Sequence, residues 1–133
     1  VNPPSELRLV LAASDFDAAV RLFRDGLGLH VVEGWNDPNG RGLVLDVGRA
    51  TLELLDTPQA RRIDAVESPG IASGPVRVAL NVDDVEGVAA RLAAHGATPL
   101  APPVDTPWGH HNQRLVTPDD LHVTLFHPEV VLP

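Results

Sequence analysis

The sequence contains no cysteine, no methionine and no tyrosine. Without cysteine there can be no disulfide, no thiolate zinc site and no cysteine nucleophile. Aromatic side chains are scarce, two Trp and three Phe, so a core must be built from Leu, Val and Ala. No stretch approaches the roughly 18 apolar residues of a membrane span. The first residues lack the basic-then-apolar pattern of a secretory signal. Positive charge is in deficit: 10 basic residues stand against 18 acidic ones, for a formal net charge of -8. An acidic surface repels phosphate backbones and anionic lipid, so neither nucleic acid nor membrane is expected as a partner, and a cytoplasmic protein is. What is present suffices for folding. The 133 residues are 44% hydrophobic, and a chain of this length buries about two thirds of its unfolded surface in one domain.

An internal repeat organises the chain. The stretch Leu7–Asp17 aligns with Val76–Glu86, setting Arg8 on Arg77, Ser14 on Asp83, Asp15 on Asp84 and Asp17 on Glu86, all at one offset of 69 positions. Each copy is an apolar run of strand length ending in a helix start. Ser14 with Asp17, and Asp83 with Glu86, have capping-box spacing. Apolar residues then recur at i, i+3, i+4, i+7: Phe16, Ala19, Val20 and Phe23, and again Val85, Val88, Ala89 and Leu92. Gly26 or Gly28 closes the first helix, and Gly96 the second.

Three strands follow each helix. The first set is expected near His30–Trp35, Gly42–Val47 and Thr51–Leu55, divided by turns at Asp37–Gly40 and Gly48–Arg49. The second is expected near Thr98–Leu100 (extended to Val104), His110–Val116 and His122–Phe126, with a turn at Thr117–Asp120. The chain thus reads as one α+β domain over 1–133, made of two β-α-β-β-β modules, about 6–56 and 75–128. Residues 57–74, rich in Pro, Ala, Gly and charge, read as a linker holding one helical turn.

Tandem modules of this kind resemble the vicinal oxygen chelate superfamily, which includes glyoxalase I, bleomycin resistance proteins and extradiol dioxygenases. The resemblance runs from about Glu6 to Pro128. It is carried by the helix starts at Ser14-Asp15 and Val82–Val85, the helix exit Phe23–Leu29, the turn Pro107-Trp108-Gly109 and the Thr117–Asp120 turn. It implies that each module is a curved half-barrel and that paired modules enclose a ligand cavity. It also implies a divalent metal held by a His on the first strand and a Glu on the last strand of each module. Those positions fall on Arg8, Glu53, Arg77 and Thr124. Arginine is permanently protonated and has no lone pair to give, so one ligand of four survives and neither metal nor other cofactor is expected.

Strand alternation puts His122 on the face of Thr124, so Glu53 with His122 is a possible remnant pair, flanked by two guanidinium groups. His110 and His111 are adjacent and point to opposite faces, so they cannot converge on one ion. His30, His95 and His127 stand at element ends and read as solvated. Arg8, Arg77 and Glu53 should share the cavity wall, with Glu53 forked to one arginine and the other free for an anionic or acceptor group. Counted alone, these three leave the pocket positive. Trp35 and Trp108 offer flat faces on which a planar ligand can stack. Asn81, Asn112 and Gln113 are further polar candidates, and Ser14, Asp15, Asp83 and Asp84 read as caps.

Two functions follow from the resemblance. One is a metal-free small-molecule binder similar to bleomycin resistance proteins, sequestering an antibiotic or other planar metabolite. The other is a lyase, isomerase or dioxygenase using Glu53 and His122 as catalytic groups, with or without a divalent metal. A homodimer is expected in either case, because relatives build each cavity from modules of two subunits and so bury the open sheet edges.

Overall fold

A computed structural model of the chain describes residues 2–25, 27–118 and 120–129. Gly26 and Asp119, each part of an expected turn, lie outside the described residues. The first repeat forms β1 (Glu6–Ala13), α1 (Phe16–Val20), β2 (Val31–Asp37), β3 (Gly40–Asp46) and β4 (Thr51–Asp56). After α2 (Thr57–Glu67), the second forms β5 (Val76–Asn81), α3 (Val85–Ala94), β6 (Thr98–Pro99), β7 (Val104–Asp105), β8 (His110–Val116) and β9 (His122–Pro128). The strand expected over Thr98–Val104 is two short ones, both paired with β8.

All nine strands join one open sheet in the order β2-β3-β4-β1-β5-β9-β8-β6, with β7 also on β8. Its centre is the antiparallel pair β1–β5, where Arg8 faces Ala79, Leu9 faces Val78 and Val10 faces Arg77. Moving each residue by the repeat offset exchanges the members of these pairs. The repeat is therefore a pseudo-twofold axis running between Leu9 and Val78. The same operation carries the parallel pair β1–β4, with Val10 opposite Glu53, onto β5–β9, with Ala79 opposite Thr124. Glu53 and Thr124 are structural equivalents, as the resemblance implied.

Alternation along the strands gives the sheet two faces. The outer face carries Leu45, Leu52 and Leu54 beneath Phe16 of α1, and Leu115 and Leu125 beneath Val85 and Ala89 of α3. Each of these helices starts one residue later than the capping-box spacing suggested. Asp15, not Ser14, accepts from Ala18 N at 3.0 Å, and Asp84, not Asp83, accepts from Gly87 N at 3.0 Å. The apolar spacing predicts one helix through Phe23, but α1 passes at Arg21 into a π-helical turn that ends at Asp25. Gly28 then redirects the chain at φ +67°, and Gly96 does so after α3 at φ +115°.

The expected linker is largely helix. Asp56 caps α2 by accepting from Gln59 N at 2.9 Å, and Pro58 sits in the first turn, where its missing N–H leaves nothing unsatisfied. The 11-residue helix buries Gln59, Ile63 and Glu67, an i, i+4, i+8 stripe, against the inner face of the sheet. Ile63 joins Val10, Leu55, Ala79 and Phe126 in a core cluster there. Among the described residues no helix is long and apolar enough to cross a membrane.

Candidate functional site

Between α2 and the inner face of the sheet lies a cleft of about 340 Å³, within the range of small-molecule sites. Arg8 and Glu53 of the first module line it together with Arg77 and Thr124 of the second. Both modules of the one chain thus contribute to its wall. The edges of β1 and β5, which would otherwise recruit a second chain, pair with each other.

The two arginines differ in how they are held. Arg8 donates from Nε to Glu6 Oε2 at 2.8 Å, and its guanidinium lies 4.8 Å from the centroid of the Phe126 ring. Glu6 stands two residues earlier on the same strand face and also accepts from Thr51 Oγ1 at 2.6 Å. That neighbour captures Arg8, and the expected fork with Glu53 does not form. Arg77 is buried and, among the described residues, makes one side-chain hydrogen bond, from Nη1 to Thr124 Oγ1 at 3.1 Å. Its remaining donors are available to a ligand.

Glu53 is 8% exposed and makes no side-chain hydrogen bond or ion pair among the described residues. Burial pushes its carboxyl above the usual carboxylate range, and Arg77 and Arg8 offset this only in part. A carboxyl so placed keeps its proton to higher pH than an exposed one.

The sequence reading missed Glu67. From α2 it accepts from Thr124 Oγ1 at 2.7 Å, from Asn112 Nδ2 at 2.9 Å and from Arg114 Nε and Nη2 at 3.1 and 2.8 Å. Burial pushes this carboxyl up, but Arg77, Arg114 and the bonds from Thr124 and Asn112 outweigh it and hold the group below the usual range. Arg114, fully buried, also donates to Asp64 Oδ1 at 2.5 Å and Ser68 Oγ at 3.1 Å, locking α2 onto the second module. The available signal was Asp56 with Pro58, a cap and a first-turn proline, followed by polar residues at helical spacing.

His122 shares the inner face with Thr124, as alternation requires, yet its ring rests 3.4 Å from Arg114 and does not line the cleft. Burial and the Arg114 charge both push its pKa down. His110 does line the cleft, stacked on Phe126 with ring centroids 5.5 Å apart, and burial, then Arg8, push it down. His111 points the other way, held between Glu86 and Asp105. His30, His95 and His127 are exposed. Trp35 and Trp108 are both half-buried in the cleft wall, and the Trp35 indole lies flat on Gly42, its cross-strand neighbour. Asn112 lines the cleft, whereas Asn81 does not, and Gln113 bonds Ala101 O at 3.2 Å instead.

The expected excess of positive charge is absent. Arg8, Arg62 and Arg77 line the cleft against Glu33, Asp37, Glu53 and Glu67, and the three-residue count omitted Arg62, Glu33, Asp37 and Glu67. The donor set also fails for a divalent metal. Two of the implied ligand positions carry guanidinium groups, and the Thr124 hydroxyl is spent on Glu67, leaving Glu53 alone.

A paired βαβββ sheet folded over a cleft defines a class of small-molecule sites, and comparison with known proteins agrees. The sequence profile of the glyoxalase/bleomycin resistance protein/dioxygenase superfamily matches residues 7–125. The chain belongs to that superfamily. A search of curated proteins finds no match. Among solved structures, a Streptomyces coelicolor methylmalonyl-CoA epimerase variant in complex with 2-nitronate-propionyl-CoA is 20% identical, over 97% of this chain and 100% of that one, with a TM-score of 0.68. A superfamily member from Vibrio splendidus 12B01 is 18% identical, over 92% of this chain and 97% of that one, with a TM-score of 0.62. A protein of Bacillus halodurans C-125 is 15% identical over 95% of both chains, with a TM-score of 0.68. At these identities the likeness is one of fold.

Proposed function

We propose that this protein is a metal-free small-molecule binder of the superfamily, similar to its bleomycin-resistance members, which sequesters a compact, partly planar metabolite or antibiotic. One observation carries the reading: Arg77 lies in the cleft wall with, among the described residues, a single donor engaged, and two tryptophans line the same cleft. A guanidinium with open donors suits a carboxylate, phosphate or polarised carbonyl oxygen. The indole of Trp35 or Trp108 suits the planar part. Arg8, tied to Glu6 and Phe126, serves stability instead. Titration of intrinsic tryptophan fluorescence with aromatic carboxylates, acyl phosphates and planar antibiotics tests this. Arg77→Ala should weaken binding of an acidic ligand by about 2–5 kcal/mol, and Arg8→Ala should chiefly lower stability. Absence of any quenching, or equal binding by wild type and Arg77→Ala, refutes it.

Glu53 supports a second reading, an isomerase. A buried carboxyl without a hydrogen-bond partner among the described residues, near Arg77, suits removal of a proton next to a carbonyl, with the guanidinium receiving the enolate oxygen. Solvent deuterium entering a bound thioester or keto acid, and failing to enter with Glu53→Gln, separates this enzyme from a pure binder. In either reading we take the protein to be a homodimer. Leu7, Leu9 and Val76 are 44%, 40% and 40% exposed on the outer face beside the central seam, an apolar strip that a second copy can cover. A light-scattering mass near 14.2 kDa at micromolar concentration excludes the dimer.

A further inference from the structure

One row of side chains crosses the inner face of the sheet. Glu33 of β2 stands opposite Val44 of β3, Val44 opposite Glu53 of β4, Glu53 opposite Val10 of β1, and Val10 opposite Arg77 of β5. Residues paired directly across strands share a face, and Glu33, Glu53 and Arg77 all line the cleft. Charge therefore falls on every second strand, about 10 Å apart along the sheet, in the order negative, negative, positive. Buried Val10 and Val44 fill the places between. Among the described residues, neither Glu33 nor Glu53 has an ion pair or a side-chain hydrogen bond, and Arg77 uses one donor, on Thr124. The other charged groups of the wall are engaged elsewhere or stand off the row. Arg8 is tied to Glu6, Glu67 to Arg114 and Asp37 to Asn39 N, while Arg62 projects from α2. Glu53 is 8% exposed yet not sealed, since the one sealed, partnerless side-chain atom among the described residues belongs to Asn112. Glu33 is exposed where the cleft opens, with Trp35 next to it on the same face of β2.

We propose that the ligand of this cleft is a zwitterion: its anionic group lies on Arg77, and its ammonium lies between Glu53 and Glu33, beside Trp35. A buried charge is tolerable when it is paired, and a molecule carrying both signs gives each end of the row its opposite. The indole face of Trp35 adds its own attraction for an ammonium. An anion without an amine would leave the Glu53 carboxyl unpaired, and a cation without an acid would leave the free donors of Arg77 unmet. The class selected is thus a compact amino-carboxylate or amino-phosphate. The proposal rests on the reading of the cleft as an anion-accepting small-molecule site, and it adds a second recognition point of opposite charge.

The aminomethylbenzoate isomers, their hydroxymethyl counterparts and benzylamine separate the two charges at nearly constant size. Titrated against the full chain at neutral pH and followed by tryptophan fluorescence, at least one aminomethylbenzoate should bind about tenfold tighter than its hydroxymethyl counterpart and than benzylamine. That advantage should shrink in Glu33→Gln and vanish when Glu53→Gln is added, with folding checked by thermal unfolding. Asp83→Asn removes the same charge away from the cleft and should leave the advantage intact, which separates a local site from the general pull of an acidic surface. If the double variant does not fold, Glu33→Gln decides the matter alone. An advantage below about twofold for every isomer, one unchanged by the Glu33 and Glu53 substitutions, or one lost equally in Asp83→Asn overturns the proposal. Hydroxymethylbenzoate binding that Arg77→Ala weakens would then leave the cleft reading standing. If no carboxylate of the set binds, the cleft reading fails and this proposal falls with it.

Discussion

Arg114→Met tests what holds the cleft wall in place. The substitution keeps most of the side-chain volume while removing a guanidinium that is fully buried and bonded to Glu67, Asp64 and Ser68. Glu67 then loses two of the four hydrogen bonds it accepts, keeping those from Thr124 and Asn112 and the nearby charge of Arg77. Breaking a buried pair from one side costs about 3–5 kcal/mol, and the surviving partners place this case near the lower end, about 3 kcal/mol. For a domain of this size that corresponds to a fall in Tm on the order of 10 °C. The pH dependence carries a sharper signature. In the wild type the Glu67 carboxyl is held low, so its stabilisation is present at neutral pH and is lost as pH falls through its folded-state pKa. Without Arg114 the same carboxyl shifts upward, and the folded state resists its ionisation as pH rises. The gap between variant and wild type should therefore be widest near neutrality and should narrow toward pH 4.5, the ordinary glutamate value. Urea unfolding at a series of pH values measures it, and Arg114→Met combined with Glu67→Leu should recover much of the loss. A deficit below about 1 kcal/mol at neutral pH, or one that does not change with pH, would refute the assignment of Arg114 as the lock on α2.

Three further outcomes are expected. Glu53→Gln should raise stability at pH 8 and leave it unchanged at pH 4, because a carboxyl pushed up by burial opposes folding only above the pKa of the unfolded chain; parallel unfolding curves at both pH values check this. Gly42→Ala would set a Cβ 1.9 Å from Trp35 Cζ2, so the indole must lift away, shifting its emission and weakening any ligand stacked on it. Elemental analysis after gel filtration should find far less than one zinc, iron, manganese or nickel per chain, and a near-stoichiometric ion whose thermal stabilisation vanishes in Glu53→Ala would contradict the donor-set argument.

The repeat made most of the fold legible, because a β-α-β-β-β module writes its periodicities locally. Strand edges at Thr51, His110 and His122 emerged from alternation and turn residues alone, and the equivalence of Glu53 with Thr124 from the resemblance. Helix α2 was hidden for a physical reason. Only Ile63 of its buried stripe is apolar, and hydrophobic periodicity cannot see a face whose other members, Gln59 and Glu67, are buried by polar contacts. The partner that makes Glu67 tolerable inside, Arg114, lies 47 residues away, and no local pattern announces such a pair. The same blindness explains the Arg8 error in reverse. Glu6 is near in sequence and on the same strand face as Arg8, whereas only the resemblance singles out the more distant Glu53. Caps were displaced by one residue because Ser14-Asp15 and Asp83-Asp84 each offer two competent capping side chains in succession.

The axis between Leu9 and Val78 also bears on what either half would do alone. Cut free, the segment from Glu6 to Asp56 would present β1 as an unpaired edge. The symmetry gives that edge a ready partner in a second copy of itself, strand against strand, with Leu9 facing Leu9. Joining the halves in one polypeptide turns this bimolecular encounter into an intramolecular one, at an effective concentration on the order of millimolar. It also retires an edge that would otherwise template aggregation. And because the two partners are covalently distinct copies, each is free to change without the other: one inner wall could keep Val44 where the other took up Arg114, a divergence that a true homodimer of modules could never make.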